Sequence, residues 1–415
     1  MTEALLRAGA KTLARTLRDA GHEAYFAGGC VRDVLLGKSP KDFDIATDAT
    51  PEEVQKIFRR TVAVGAAFGV IRVRIGHGQE YEVATYRTDG EYTDGRRPDV
   101  VRYSKSKEED VARRDFTINA LLMDPFTDEI LDFVGGQADL ARRMIRAVGD
   151  PERRFFEDKL RMLRAVRFAS RFDFEIDSAT RAAIQKHASS IVLVSAERIV
   201  TELSALWNGA DPGLGMRLLA ELELFSPIFS FVPAESLASV CAEIARIPEA
   251  CASVGAAEAD ARSVVAWALL LARRDLRHES EAVLRSMKLS QRIMKDVERA
   301  LGWLPSLEAP ESLRLADRVR ILRDRLAPTA LAFLAARGGT DNAALRLYLA
   351  ERAALEQDPL PAEPWVTGGD LKRLGLDPSP RFKTILESIE TEVFERRIKT
   401  KEEAQAMAER LAKEA

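Results

Sequence analysis

The first 147 residues carry short runs in which apolar and polar positions alternate or β-branched residues dominate. Glycines and charged turns separate these runs, and helical periodicity flanks them. The runs are AYFAGG (24–29), DFDIAT (42–47), TVAVG (61–65), GVIRVRIG (69–76) and EYEVATYR (80–87). Such spacing predicts strands, so this part of the chain should form a small α+β domain.

A different pattern begins after Gly149. The strand signal nearly vanishes, and the remaining sequence is rich in Ala, Leu and Arg at helical spacing. Two segments interrupt it, GADPG at 209–213 and the proline-rich DPLPAEP at 358–364. The predicted fold class is therefore α+β, with a small mixed α/β head followed by a long helical array.

Two apolar segments bear on membrane contact. At the N-terminus, Leu5, Leu6, Leu13 and Leu17 alternate with charges, which predicts an amphipathic helix without the apolar core of a signal peptide. The longest apolar run, VVAWALLLA at 264–272, is far too short to span a bilayer and is typical of a core helix. We therefore expect a cytoplasmic protein without membrane contact.

Composition narrows the class of protein further. A chain of 415 residues with 46% hydrophobic content can bury substantial cores and has room for about two to four domains. Cys30, Cys241 and Cys251 are widely spaced without a CxxC pair, which argues against a disulfide framework or a zinc cluster. None of the four histidines is followed by Asp, which disfavours a histidine–aspartate metal phosphohydrolase.

Charge is uneven along the chain. The formal net charge of −3 indicates no partner by itself, but residues 142–171 hold ten Lys and Arg against four Asp and Glu, a local net charge of +6. This segment suits a phosphate-rich partner, whereas a solvated helix face would have the same composition. Both interpretations are open at this point.

The segment KDFDIATD (41–48) places two acids in an apolar strand. Because side chains alternate across a strand, Asp42 and Asp44 point the same way, roughly 6.5 Å apart along the chain. Burying each carboxylate unpaired costs several kcal/mol, and a cation between them would remove the repulsion. A solvated edge strand is the alternative.

A third acid, Glu82, alternates with Val83 in the run EYEVATYR and could share a face with the two aspartates. By itself it is more typical of a surface residue. Three converging carboxylates would hold two Mg²⁺ ions about 3.5–4 Å apart, the arrangement that supports phosphoryl or nucleotidyl transfer.

Two further segments offer groups for a nucleotide. In AYFAGGCVRD (24–33), a strand runs into Gly28 and Gly29 and then into a helix, so backbone N–H groups can approach a phosphate and Arg32 can add charge. A GG pair alone is more often only a tight turn. In ARRDFTINALLMD (112–124), Arg113 and Arg114 supply charge, and the following Asp115 can accept hydrogen bonds from a ribose hydroxyl.

Residues 152–171 have the periodicity of one helix, with Phe156, Leu160 and Leu163 as its apolar stripe. The polar side carries Asp158, Arg161, Arg164 and, near its edge, Arg167. An Asp–Arg pair three residues apart is usually a surface ion pair.

Taken together, five segments in order resemble the motif regions of the class II tRNA nucleotidyltransferases, a family that includes CCA-adding enzymes and bacterial poly(A) polymerases. They are GGCVRD (28–33), DFDIAT (42–47), RRDFTINA (113–120), EDKLRMLRAVRF (157–168) and ERIVTE (197–202). The resemblance is dense from residue 24 to 205 and continues weakly in VTGGDLKRLGLDPSPRFKTILESI (366–389).

The resemblance implies roles for individual residues. Asp42 and Asp44 would hold Mg²⁺ in a two-metal site, with Glu82 as a further catalytic acid. The residues that would bind the incoming CTP or ATP are Gly28, Gly29, Arg32, Arg114, Asp115, Asp158, Arg161, Arg164 and Arg167. Among these, Gly29 and Arg32 would meet the triphosphate, while Asp158 and the arginines of its segment would form the nucleotide-reading surface.

The resemblance also implies an architecture and partners. The expected parts are a head (1–147), then a helical neck (148–212), body (213–310) and tail (311–415). The 3′ end of tRNA would lie along the basic, helical side. We expect a monomer.

Members of this family add CCA, only CC, only the final A, or poly(A). The segment between Arg87 and Ala112 acts as a flexible loop in members that add A, and it is full length here, which argues against a CC-only enzyme. Residues 88–107 are poor in apolar side chains and are predicted to be mobile. VGAAFGVIRV (64–73) resembles the CCA- and A-adding pattern.

CCA addition is therefore the favoured activity. Addition of A alone comes second, and poly(A) synthesis third. A catalytically inactive RNA-binding protein is the alternative from another class. It would be expected to have lost a metal acid, whereas Asp42, Asp44 and Glu82 are all present.

Overall fold

The computed structural model describes residues 2–65, 69–76, 78–89, 101–273 and 279–413. Its internal contacts divide the chain into two compact units, Met1–Phe231 and Val232–Ala415. The finer division into head, neck, body and tail stays a prediction.

A seven-stranded sheet forms the centre of the first unit, in the order β3-β4-β5-β2-β1-β8-β9. Its strands are β1 (Ala24–Ala27), β2 (Asp44–Thr47), β3 (Thr61–Gly65), β4 (Val70–Ile75), β5 (Gln79–Thr85), β8 (Leu122–Met123) and β9 (Ile130–Leu131). Two small sheets accompany it, the antiparallel pair β6 (Arg87–Asp89) and β7 (Val101–Tyr103) and the parallel pair β10 (Met144–Ile145) and β11 (Glu175–Ile176). The strands predicted from alternation are confirmed.

Helices pack beside this sheet and continue after it. In chain order they are α1 (Glu3–Asp19), α2 (Gly29–Leu35), α3 (Pro51–Ile57), α4 (Lys107–Ala112), α5 (Gly136–Ala141), α6 (Pro151–Glu157), α7 (Leu160–Phe172), α8 (Ser178–His187), α9 (Ala196–Trp207), α10 (Pro212–Glu221) and α11 (Phe225–Ile228). The amphipathic N-terminal helix is confirmed, and its Leu13 and Leu17 are buried, although Leu5 is exposed.

The prediction of one helix over 152–171 is wrong, because the chain breaks between α6 and α7. Asp158 has extended backbone angles, φ −147° and ψ 104°, and its Oδ1 accepts a hydrogen bond from the Leu160 N–H at 3.1 Å. The predicted apolar stripe is partly wrong for the same reason. Phe156 is 64% exposed, and the neighbouring Phe155 is buried in its place.

The described residues of the second unit form helices joined by turns and short irregular segments, without a strand. Its helices are α12 (Leu237–Ala245), α13 (Ile247–Val254), α14 (Ala261–Leu271), α15 (Ser280–Ser286), α16 (Gln291–Gly302), α17 (Leu304–Glu308), α18 (Leu315–Leu322), α19 (Ala327–Gly338), α20 (Ala343–Gln357), α21 (Gly368–Arg373), α22 (Pro380–Phe394) and α23 (Lys401–Lys413). The run at 264–272 forms most of α14, and its residues from Val264 to Leu271 are buried as predicted. In the described ranges, no helix has both the length and the apolar character needed to cross a membrane.

Candidate active site

An open pocket of about 510 Å³ lies in the first unit, where the ends of β1 and β2 face helix α7. All the site residues predicted from the sequence line it except Asp42. Those that line it are Gly28, Gly29, Arg32, Asp44, Glu82, Arg114, Asp115, Asp158, Arg161, Arg164 and Arg167. Residues separated by more than a hundred positions therefore meet around one space.

The acidic side of the pocket is set by strand register. Ile45 of β2 pairs in parallel with Val83 of β5, so the preceding residues, Asp44 and Glu82, lie side by side on one face. Burial, followed by the charges of Asp42 and Glu82, raises the pKa of Asp44 to about 7. Of the four carboxylates that line the pocket in the described part of the chain, Asp44 alone has no ion pair with a basic side chain.

The three-carboxylate metal cluster that the sequence suggested is not formed. Glu82 is turned towards Arg72, whose Nη2 lies 3.2 Å from Glu82 Oε1. The described residues hold no group of three His, Cys, Asp or Glu arranged for a metal ion. Asp42 and Asp44 still fit a cation, because Mg²⁺ commonly binds one or two carboxylates and takes its other ligands from phosphates and water. Asp44 would regain its charge on binding it.

The turn after β1 has the geometry expected of a phosphate site. Gly28 has φ +72°, a conformation that favours glycine, and a Cβ built there would lie 3.1 Å from Arg114 Nη1. Helix α2 begins at Gly29, so its first backbone N–H groups face the pocket. Arg32, one turn later, is buried. Its Nη1 donates to Asn119 Oδ1 at 2.5 Å, and its Cζ lies 4.7 Å from the centre of the Phe172 ring.

Asp115 is held by other side chains rather than left free in the pocket. Its Oδ2 accepts from Arg164 Nε at 2.8 Å and Nη2 at 2.7 Å, and its Oδ1 accepts from Asn119 Nδ2 at 3.1 Å. Burial opposes the charged form of Asp115, but the ion pair with Arg164 outweighs it, so the pKa lies below its ordinary value. Asp115 thereby fixes the Arg164 side chain of α7 against the segment that follows α4.

Helix α7 presents a row of arginines to the pocket, and α9 supplies their counter-charge. Arg161, Arg164, Arg167 and Arg171 recur every three or four residues along one face of α7. Glu202 of α9, a buried residue, accepts from Arg164 Nη1 at 3.5 Å and from Arg167 Nε at 2.5 Å. The sequence reasoning missed this role of Glu202, although the motif ERIVTE contains it.

The side chains of Asp158 and Arg161 both line the pocket but are not bonded to each other. The bond between the two residues is in the backbone, where the Arg161 N–H donates to the Asp158 carbonyl at 3.1 Å. Asp158 Oδ2 accepts from Arg198 Nη2 at 2.7 Å. Arg161 is buried, and it donates to Glu157 Oε2 at 3.0 Å and to the Arg113 carbonyl at 3.2 Å. The alternative of a surface ion pair between Asp158 and Arg161 is therefore wrong. Arg198 and Glu157 are functional neighbours for which the sequence reasoning assigned no role.

The site brings together a mixed sheet with an acidic strand end, a strand–Gly–Gly–helix turn and an arginine-bearing helix across the pocket. This is the arrangement that the sequence resemblance to nucleotidyltransferases predicts. Three family models match this chain in order. They are the poly A polymerase head domain (residues 24–146), the probable RNA and SrmB-binding site of polymerase A (173–235) and the putative tRNA nucleotidyltransferase domain 2 (261–407).

Relatives and solved structures agree with these matches. The CCA-adding enzyme of Leuconostoc mesenteroides is 34% identical over 387 residues, 92% of this chain and 90% of that protein. The CCA-adding enzyme of Levilactobacillus brevis is 48% identical over 207 residues, 50% of this chain and 52% of that protein, so this match spans about half of the relative's length. The Bacillus stearothermophilus CCA-adding enzyme in complex with CTP has 32% identity and a TM-score of 0.76, with 96% of each chain covered.

The chain therefore belongs to the family of tRNA nucleotidyltransferases and poly(A) polymerases. The family and the fold class that the sequence predicted are both confirmed.

Proposed function

We propose that this protein adds CCA to the 3′ end of tRNA, using CTP and ATP and releasing pyrophosphate. The observation that carries the proposal is the pocket in which the acidic end of β2, the Gly28–Gly29 turn and the arginine row of α7 face one another. The similarity to a CCA-adding enzyme over 90% of that protein's length supports this reaction over other nucleotidyl transfers.

Asp42 and Asp44 would bind Mg²⁺ together with phosphate oxygens of the nucleotide. Bound there, Mg²⁺ would favour deprotonation of the attacking 3′-hydroxyl and neutralise charge on the departing pyrophosphate. The N–H of Gly29, at the start of α2, would donate to the phosphates, whereas the Gly28 N–H is bound to the Leu121 carbonyl at 3.1 Å. Arg114 beside this turn would add a charged donor. Arg32 and Asp115, which are bound to Asn119, would keep this side of the pocket rigid.

The base would be read by Asp158 and Arg161. Cytosine and adenine both offer an amino donor beside a bare ring nitrogen, which matches a carboxylate acceptor next to a guanidinium donor. Arg198 and Glu157 hold these two side chains apart from each other, so each keeps hydrogen-bonding capacity for the base. Arg164 and Arg167 would lie beside the base and phosphates on the same helix.

The RNA partner follows from charge and from the family. The basic segment 142–171 includes helix α7, which lines the pocket, so the 3′ end of tRNA would reach the nucleotide along this helical side.

Incorporation of labelled CTP and ATP into two tRNAs tests the proposal, one lacking CCA and one ending in CC. CCA addition predicts use of both nucleotides on the first and of ATP alone on the second. Activity confined to the CC-ending tRNA would indicate A addition, and long A tails would indicate poly(A) synthesis. Asp42→Ala and Asp44→Ala are the inactive controls. RNA binding without any incorporation by the wild-type protein would refute the proposal.

A further inference from the structure

Asp110 is a buried carboxylate, 2% exposed, near the end of helix α4 and outside the five motif segments. It binds both arginines of the RRD sequence. Arg113 donates to Asp110 Oδ1 from Nε at 2.9 Å and from Nη2 at 2.6 Å, and Arg114 donates to Oδ2 from Nη2 at 2.9 Å. Burial opposes ionisation of Asp110, but the two guanidinium groups outweigh it and keep its pKa below the ordinary value.

The two arginines contact different parts of the pocket. Arg114 Nη1 donates to the Asn119 carbonyl at 3.3 Å and lies against Gly28, 3.1 Å from where a Cβ would be. The Arg113 carbonyl accepts from Arg161 Nη2 at 3.2 Å. Asp110 therefore fixes the guanidinium beside the Gly28 turn and helps to place the backbone that supports Arg161, while not lining the pocket itself.

We propose that Asp110 is a positioning residue for the nucleoside triphosphate, since it fixes Arg114 beside the Gly28–Gly29 turn where the phosphates bind. The inference rests on the proposed function. The inference predicts the direction in which nucleotide affinity changes when the Asp110 charge is removed. Removing a negative charge near the pocket should by Coulomb attraction tighten the binding of an anionic nucleotide, whereas losing the fixed position of Arg114 should weaken it.

The test is steady-state kinetics of Asp110→Asn and Asp110→Glu with tRNA lacking CCA. For Asp110→Asn we expect KM for CTP and ATP to rise by about tenfold, with kcat within about twofold and KM for tRNA unchanged. Asp110→Glu keeps the charge but displaces it by one methylene, so it should show part of the same rise. It also supplies the measurement if Asp110→Asn does not fold.

Asp139→Asn is the matched control. Asp139 is also a buried carboxylate of the first unit, 4% exposed, and it accepts from Thr117 Oγ1 at 2.7 Å and Arg146 Nε at 3.1 Å away from the pocket lining. The Asp139→Asn variant should have a lower melting temperature than the wild type but the same KM for CTP. A KM equal to or below that of wild type in the Asp110 variants, or the same rise in Asp139→Asn, would overturn the inference. Activity of the wild type in the same assay tests the proposed function separately.

Discussion

Asp44 lies half-buried among like charges, and its ionised form is therefore disfavoured in the folded, metal-free protein. Its pKa rises from 3.8 to about 7, because of burial first and then the charges of Asp42 and Glu82. A raised carboxyl pKa means that the protonated form stabilises the fold. The stability that Asp44 contributes is thus fully present below pH 3.8 and is lost as the pH rises to about 7.

Asp44→Asn should consequently stabilise the metal-free protein above pH 7, by on the order of 1 kcal/mol after allowance for solvent screening. The gain should shrink as the pH falls from 7 to 4, because the wild-type carboxyl is then protonated too. Thermal melts in EDTA at several pH values measure this difference in stability between Asp44→Asn and the wild type. Asp48→Asn is the control, because Asp48 lies near His22 and Lys105 and its loss should destabilise. A wild type that melts higher than Asp44→Asn at pH 8 would contradict the prediction.

The proposed reading of the base also depends on single residues. Asp158→Ala or Arg161→Ala should lower kcat/KM for CTP and ATP by roughly 10²–10⁴-fold relative to UTP and GTP, because uracil and guanine present the opposite donor and acceptor pattern. All four nucleotides on tRNA lacking CCA provide the measurement. Arg153→Ala is the matched control. Arg153 is mostly exposed and binds the same Glu157 carboxylate as Arg161, so its loss should leave selectivity intact. Selectivity that persists without Arg161 would place base reading elsewhere.

At the scale of elements, the pair β6 and β7 frames a segment that the sequence assigned to product choice. Residues 90–100 of the loop predicted at 88–107 lie outside the described residues, but the segment after β7 is bound to other residues of the first unit. Lys105 Nζ donates to the Asp48 carbonyl at 2.8 Å, and Lys107 Nζ to Glu23 Oε1 at 2.9 Å. Both lysines follow residues 90–100, so a deletion within 90–100 would leave these two contacts in place.

A deletion within 90–100 should therefore spare addition of the two C residues and stop addition of A, if the loop adapts the pocket from C to A. Gel-resolved products on tRNA lacking CCA, with CTP alone and with both nucleotides, report the outcome. Lys107→Ala is a useful comparison, since it keeps the loop's length and removes one anchor. Equal loss of C and A addition would make the loop a general structural element.

Several elements were predictable because one local signal determined them. Alternation placed β1, β2 and β4, periodicity placed α1, and an unbroken apolar run placed α14. The two-residue strands β8 to β11 were not predictable, because two residues are too few to show alternation. In addition, β8 pairs with β1, and β10 with β11, across long stretches of sequence. The break at Asp158 was missed for a similar reason. Spacing alone pairs it with Arg161, whereas its partner is Arg198, forty positions away in α9.

At the scale of the whole molecule, the pocket lies entirely within the unit Met1–Phe231. A protein of residues 1–231 should therefore fold and bind CTP with a Kd within about threefold of the full chain, since its binding groups remain. Its affinity for tRNA should fall by at least about tenfold, because fewer phosphate contacts are available. Calorimetry with CTP and filter binding with tRNA measure the two separately. The Asp44→Ala variant of the same fragment is the control, because it shows whether CTP binding depends on the acidic side of the pocket. Unchanged tRNA affinity would assign RNA binding to the first unit alone.

The arginine row of α7 has a consequence for how this sequence can diverge. Glu202 serves Arg164 and Arg167 at once, and Arg164 also serves Asp115. Losing Glu202 would take from Arg167 its ion-pair partner, and losing Arg164 would do the same to Asp115, so each first step across this network is harmful. A lineage could therefore alter it only by rapid paired replacements or through a compensating change made beforehand. We therefore expect the fitness landscape at Asp115, Arg164, Arg167 and Glu202 to be rugged, with few single substitutions tolerated.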